Sequence, residues 1–346
     1  MAAGRRPNRL FVVANSELGN LVFSLHLKHL FFSHKEKSQT SSQEEHEPPR
    51  LLSLPAPLAC FKQVDELCEY MAFAASPDGH VIAAVGYEGQ TQIYAAAVSP
   101  GPDMHSAMNH PVLLPVGDRM FFAISAYPRL DLYKGRPHFE VLQQLPRTGR
   151  WAWTAVTDPP GRRFRENVGA YFVSGARVYV SLQRQGTYSY HTARRRWRRE
   201  GDWELPVLGQ AILVPNFLGT GRRLLFGFHD MLGPGENFPL CAVDMDARPP
   251  VVVETWPKAE RFSHSQVWSA GYGMSPRVSQ LNHFGGGRFC ISVTYTSSDR
   301  ERKPRRVLCF MAVELTQELQ LLKRQYSCYV IPESPTSAIP ADVLSS

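Results

Sequence analysis

Arg177-Val178-Tyr179-Val180-Ser181-Leu182, a short turn, Gly186-Thr187-Tyr188-Ser189-Tyr190 and then Trp197: this stretch decides the fold. Both runs are short, rich in β-branched and aromatic residues and bounded by Gly, which is the pattern of strands. Reading outward, the same unit recurs. His80–Val85 is followed by Gln90–Tyr94. Arg119–Ile124 leads to His138–Leu142 and Trp151, and Arg223–Phe228 leads to Leu240–Val243 and Trp256. Arg288–Val293 is followed by Val307–Met311, and an N-terminal hairpin, Leu10–Ala14 with Leu21–Leu25 around an Asn- and Gly-containing turn, supplies one more. With six units, Arg9 to Ile331 averages about 51 residues per unit once a polar insertion is removed; seven units would give about 44. The unit starts are unevenly spaced, so the loops vary in length.

Tyr190 stands seven residues before Trp197, with Thr192 between them. A kelch blade has a Tyr and a Trp at this separation, flanking the turn between its last two strands, because large aromatics fill the wedge between neighbouring twisted sheets. The diglycine of a standard kelch repeat is missing. The other reading of these residues is an ordinary β-sandwich with scattered aromatics; the recurrence of the unit favours an all-β, kelch-like β-propeller with six blades, seven being the alternative count. The expected organisation is a single propeller domain over 9–331, disordered tails over 1–8 and 332–346, and a disordered insertion at about 33–50 that holds Ser, Gln, Glu and Lys and cannot offset its ordering entropy. One helical turn is expected around Val64–Cys68, and a strand or short mixed element within Thr316–Tyr326.

The chain has 346 residues, 43% apolar and 20% charged, a balance that supports a sizeable core and argues against wholesale disorder. The longest apolar run near the N-terminus, Leu10–Ala14, is too short for a membrane span or a secretory signal. The six cysteines, Cys60, Cys68, Cys241, Cys290, Cys309 and Cys328, form no C-x-x-C pair, and there is no N-glycosylation acceptor. A reduced, intracellular protein, cytoplasmic or nuclear and not secreted, is expected.

Further residues resemble a known family. Leu10-Phe11-Val12-Val13-Ala14-Asn15-Ser16-Glu17-Leu18-Gly19-Asn20, Gly186-Thr187-Tyr188-Ser189-Tyr190-His191-Thr192 and Gly201-Asp202-Trp203-Glu204-Leu205-Pro206 resemble a plant domain of unknown function, expanded in cereal grasses, with kelch-like propeller character. Leu225-Phe226-Gly227-Phe228 and the Gly-rich turn before Arg288 fit the same family. The resemblance runs from Arg9 to about Val330 and implies a fold, with no activity to carry over. Related plant kelch-like chains often begin with an F-box; with the first strand at Leu10 there is no room for one, and a ligase-receptor role is not expected.

The formal charge of +7 is modest for this length, but the arginines are clustered. Arg194, Arg195, Arg196, Arg198 and Arg199 surround Trp197, and Arg300, Arg302, Lys303, Arg305 and Arg306 form a second group interrupted by Pro304. Such a cluster can bind nucleic acid or act as a nuclear-import address, and interleaved aromatics suit base stacking; the plainer reading is a solvated turn whose Trp points inward and a long exposed hairpin loop. His26, His29 and His34 lack the partners of a metal site, and His229-Asp230 reads as a loop entry. Asp244 and Asp246 lack the rest of a calcium loop, and Gly285-Gly286-Gly287 precedes a strand, where phosphate loops precede a helix. No catalytic motif, metal or cofactor is expected. The sequence therefore points to a monomeric, non-catalytic scaffold that binds an unknown protein partner through its loops, without membrane association. The alternative is a nucleic-acid-associated protein using 194–199 and 300–306, and Arg194, Arg195, Arg196, Arg198, Arg199, Arg302, Lys303, Arg305 and Arg306 are the candidate surface. An enzyme with residues assembled from distant strands is a third hypothesis.

Overall fold

The computed structural model describes residues 9–16, 18–26, 51–62, 71–108, 110–126, 138–160, 167–229, 239–256, 274–297, 306–331 and 342–345. The tail over 1–8, the insertion at 33–50 and the helical turn around Val64–Cys68 lie outside these residues. Among them the regular structure is all β, apart from one 3₁₀ turn at Phe217–Gly219.

The strands are β1 (Arg9–Ser16), β2 (Gly19–His26), β3 (Leu51–Ser53), β4 (Ala59–Phe61), β5 (Met71–Ala75), β6 (Ile82–Gly86), β7 (Thr91–Tyr94) and β8 (Val98–Pro100). There follow β9 (Pro111–Pro115), β10 (Met120–Ser125), β11 (Phe139–Gln144), β12 (Trp151–Val156), β13 (Val168–Ser174), β14 (Arg177–Leu182), β15 (Gly186–His191) and β16 (Arg196–Gly201). The last are β17 (Val207–Val214), β18 (Leu224–His229), β19 (Leu240–Asp244), β20 (Val251–Trp256), β21 (Met274–His283), β22 (Arg288–Ser297), β23 (Arg306–Leu315), β24 (Leu321–Ile331) and β25 (Asp342–Ser345).

These strands form successive antiparallel meanders of four: β5 to β8, β9 to β12, β13 to β16, β17 to β20 and β21 to β24, with β25-β1-β2-β4 as the set that combines both ends of the chain. Sequential four-stranded meanders are the blade unit of a β-propeller. Two compact units divide the described chain, one of Met1–Cys60 with Trp256–Ser345 and one of Phe61–Thr255.

Within the Phe61–Thr255 unit, the first strands of consecutive meanders meet. β13 and β17 pair in parallel through Ala170↔Gly209 and Tyr171↔Gln210, which joins two meanders into one eight-stranded sheet, and β9 lies beside both β5 and β13. The core sits between faces of adjacent meanders. Phe122, Ile124, Phe139 and Val141 of one face pack on Val178, Val180, Tyr188 and Tyr190 of the next. Ala83, Val85 and Ile93 pack on Phe121, Ala123, Leu142 and Trp153. The Trp153 indole N–H reaches across to donate to Thr91 Oγ1 at 2.9 Å and the Pro102 carbonyl at 3.0 Å.

In the other unit, Leu10, Val12, Phe23 and Leu25 form a core with Cys290, Leu308 and Phe310. The N-terminal hairpin forms with its strands extended further into the turn than the sequence suggests, as Ser16 pairs with Gly19. Gly19 takes a left-handed φ of 118°, and Ser16 Oγ donates to its carbonyl at 2.8 Å. The Thr316–Tyr326 segment divides into a turn and the start of β24.

Of the tail over 332–346, read as disordered, residues 332–341 and 346 lie outside the described residues; Asp342–Ser345 forms β25, which pairs antiparallel with Val13–Leu10 of β1. The physical reason is that β1 is bonded to β2 on one side only, and its other edge offers a row of backbone donors and acceptors that a returning chain satisfies. Hydrophobic composition gives no sign of such pairing, because the backbone supplies it.

Candidate interaction surface

Residues 192–195 connect β15 to β16, and the turn is built by its backbone. Thr192 N–H donates to the Ala176 carbonyl at 2.9 Å, and Arg195 N–H donates to the His191 carbonyl at 2.8 Å. Arg195 adopts a left-handed φ of 50°. Behind the turn, Tyr190 and Trp197 are register partners with ring centroids 5.1 Å apart. Trp197 meets Phe139 edge-on at 5.1 Å, and its indole N–H donates to the Thr157 carbonyl at 2.6 Å. The turn is thereby held rigidly against the β9–β12 sheet.

The five arginines divide into two groups. Arg198 forms an ion pair with Glu200 at 2.6 Å, and Arg199 pairs with Asp202. Glu200 also accepts from Ser189 Oγ at 2.5 Å, and Arg177 donates to Ser189 Oγ at 2.9 Å. Burial pushes the Glu200 carboxyl up, but the hydrogen bonds from Arg198 and Ser189 more than offset that and hold it below its ordinary range. Arg194, Arg195 and Arg196 are exposed and have no carboxylate partner among the described residues. Beside them, partial desolvation and the charges of Arg177, Arg194 and Arg196 depress the pKa of His191.

Arg195 borders a cavity of about 150 Å³ between the β9–β12 sheet and the turn. Gln143, Thr154, Thr157, Tyr190 and Thr192 contribute its polar lining, and Met120 and Val141 its apolar floor. Among the described residues, no carboxylate, imidazole or thiol lines it. The arrangement offers hydroxyl donors and a cation to an anionic or amide-bearing group.

A model of a protein family of unknown function, DUF1668, matches residues 6–329. The chain belongs to the DUF1668 family. No curated protein matches it. Among solved structures, the β-propeller domain of Myceliophteria thermophila Cps50 (Swd1) is similar at 8% identity, over 94% of this chain and 87% of that one, with a TM-score of 0.41. The computationally designed Ika8 protein is similar at 9% identity, over 94% and 88%, also with a TM-score of 0.41.

In this DUF1668 chain, the motifs quoted for the family resemblance are places where the backbone needs glycine. Gly186 has a φ of 93°, and a Cβ there would collide with the Gly201 carbonyl. A Cβ on Gly201 would in turn enter the Trp203 indole ring. Trp203 packs against the core of the β17–β20 meander, and its carbonyl accepts from Thr187 Oγ1 at 2.9 Å.

The second basic cluster changes character. Arg300, Arg302, Lys303 and Arg305 lie outside the described residues. Arg306, read from sequence as part of an exposed loop, is instead 4% exposed at the start of β23 and donates to the Asn15 carbonyl at 2.8 Å. A buried guanidinium is held where it satisfies backbone acceptors, so Arg306 is a structural residue. Arg194, Arg195, Arg196, Arg198 and Arg199 lie on one hairpin, β15–β16, while Arg306 is buried at the start of β23.

Other candidates resolve as structure. Asp244 and Asp246 pair with Arg222 at 3.7 Å and Arg223 at 3.3 Å, and Asp244 Oδ1 accepts from the Asp246 N–H at 2.8 Å. Gly285, Gly286 and Gly287 all have positive φ in the turn into β22. His29, His34 and Asp230 lie outside the described residues, while His26 and His229 end their strands. Among the described residues, no group of three or more His, Cys, Asp or Glu is placed to hold a metal.

Sequence reasoning missed Glu140. It is fully buried on β11, where its carboxylate is bonded to His105 Nδ1 at 2.6 Å and accepts from the backbone N–H groups of His105 and Ser106, each at 3.2 Å. The signal was present as a lone acid inside Phe139-Glu140-Val141-Leu142. Its role is to fasten the 101–108 segment, which carries Met104 and Met108 into the core.

Proposed function

We propose that this protein is a non-catalytic interaction scaffold of kelch-like propeller type that binds an acidic protein partner at the Arg194-Arg195-Arg196 turn. The observation that carries this reading is the division of the cluster: Arg198 and Arg199 are paired with Glu200 and Asp202, whereas Arg194, Arg195 and Arg196 have no carboxylate partner among the described residues, and Arg195 borders a polar cavity. Charge of this kind steers association and favours a complementary acidic surface. In this reading the meanders are six blades, with β25 as the strand that closes the set on β1. The protein is intracellular, cytoplasmic or nuclear, acts as a monomer and belongs to the plant members of its family.

The hydroxyls of Thr154, Thr157, Tyr190 and Thr192 and the Arg195 guanidinium give the cavity hydrogen-bonding groups and positive charge, which suits binding of an anionic group. Nucleic-acid association is the other reading of the basic clusters; Arg306 does not contribute to it, being bonded to the Asn15 carbonyl. The test is affinity capture with the wild-type chain and with Arg194→Ser, Arg195→Ser and Arg196→Ser combined, from nuclease-treated lysate at low and moderate salt. A stoichiometric protein that is captured by the wild type alone supports the reading. Equal capture by both chains rejects it.

A further inference from the structure

Cys309 on β23 and Cys328 on β24 are register partners on adjacent antiparallel strands. Both are 0% exposed, and the Cys328 thiol donates to Cys309 Sγ across 2.7 Å. The side chains form one row across the sheet, because Val293 pairs with Cys309, Cys309 with Cys328, and Cys328 with Leu51 of β3. Directly opposed residues on antiparallel strands have Cα atoms about 4.5 to 5.5 Å apart, inside the roughly 4.4 to 6.8 Å range that a disulfide accepts. A bond between these sulfurs therefore needs side-chain rotation and no movement of the strands.

The neighbouring cysteine does not compete. Cys290 pairs with Ala312 and clusters with Leu308, Phe310 and Tyr329. Side chains alternate along a strand, so Leu308 and Phe310 face away from Cys309, and Cys290 lies on the far side of the sheet. Cys60 is exposed and donates its thiol hydrogen to the Leu18 carbonyl at 3.3 Å.

We propose that Cys309 and Cys328 are a cross-strand dithiol that closes to a disulfide, with a low-molecular-weight disulfide of the glutathione type as oxidant. One cysteine, as its thiolate, attacks a sulfur of the oxidant, breaking the oxidant's S–S bond and releasing one small thiolate. The other cysteine loses its proton and displaces the second small thiolate from the mixed disulfide. One S–S bond forms and one breaks; two electrons pass from the cysteines to the oxidant, and the two thiol protons go to the released thiolates.

The geometry also sets when this happens. Hydrogen bonding from Cys328 and burial raise the Cys309 thiol above its ordinary range, so little thiolate exists in the closed fold. On the far side of β24, among the described residues, the sheet ends in β3, three residues long and exposed throughout. Oxidation then proceeds when β3 and β24 open or while the chain is folding, and the register selects the partner.

The test uses the full-length chain, equilibrated in glutathione redox buffers with and without mild urea and also refolded in the same buffers. Free thiols are blocked by alkylation under denaturing conditions, and the chain is digested without reductant for mass spectrometry. The expected result is a peptide pair joining Cys309 to Cys328, lost on reduction and at least about tenfold more abundant than any other cysteine pair. Cys309→Ala and Cys328→Ala should each remove it without a replacement pair. Alkylation of all six cysteines at every redox ratio, or cross-links scattered over other pairs, would overturn the proposal.

Discussion

Tyr190 and Trp197 face each other across β15 and β16, 5.1 Å apart, and both contact Phe122 of the preceding meander, at 5.5 Å and 6.4 Å. One aromatic pair thus joins two sheets and fixes the basic turn between its members. Tyr190 is buried, so Tyr190→Ala should destabilise the protein by about 3 to 5 kcal/mol. Urea unfolding followed by tryptophan fluorescence measures this. A loss below about 0.5 kcal/mol would mean that the ring is not part of the core.

Gly201 and Trp203 make a second packing claim. Because a Cβ at Gly201 would enter the indole, Gly201→Ala forces the ring to move. The expected cost is about 1 to 3 kcal/mol, with a changed near-UV circular dichroism spectrum. Unchanged stability would show that Trp203 relocates freely.

Glu140 should behave as a buried clasp. Glu140→Ala leaves the His105 and Ser106 donors without their acceptor, at a cost of about 3 kcal/mol. Limited proteolysis should then cut preferentially within 101–108. A variant as resistant as the wild type would show that the Trp153 bond to the Pro102 carbonyl, the backbone bonds and the burial of Met104 and Met108 hold this segment without Glu140.

His191 gives a pH signature. Its pKa is lowered, first by desolvation and then by the nearby arginines. A base whose folded pKa lies below its unfolded value favours folding when neutral, so its contribution is complete above about pH 6.5 and is lost as pH falls through the lower folded value. An NMR titration should place its midpoint below 6.5, and Arg194→Ser with Arg196→Ser should move it upward. A midpoint unchanged by those substitutions would contradict the electrostatic account of the turn.

Strands rich in β-branched and aromatic residues were legible in the sequence. Arg177–Leu182, Gly186–Tyr190, Arg223–Phe228 and Leu240–Val243 fall on β14, β15, β18 and β19. The first strand of each meander was not legible. Met71-Ala72-Phe73-Ala74-Ala75 is dominated by alanine and Pro111-Val112-Leu113-Leu114-Pro115 is bounded by prolines, both weak strand signals. The pairing of β25 with β1 was also hidden, being a backbone contact. At the site, the arginines were visible as a cluster, but only the positions of Glu200 and Asp202 reveal which charges remain free. Arg306 shows the converse, since nothing in a basic run marks the guanidinium that will be buried.

The pairing of β25 makes a prediction of its own. Deleting 342–346 removes the strand that covers the β1 edge, and the melting temperature should fall by on the order of 5 °C, with more association between molecules through the exposed edge. An identical melting curve would mean that the pairing contributes nothing to stability.

The most direct test of the central claim is quantitative affinity capture from nuclease-treated lysate, comparing the wild type with the combined Arg194→Ser, Arg195→Ser, Arg196→Ser chain at low and moderate salt. The account predicts a stoichiometric protein partner that survives nuclease, weakens as salt rises and is lost with the three arginines. Recovery of only nucleic-acid-associated proteins that disappear with nuclease, or a partner captured equally by both chains, would contradict it.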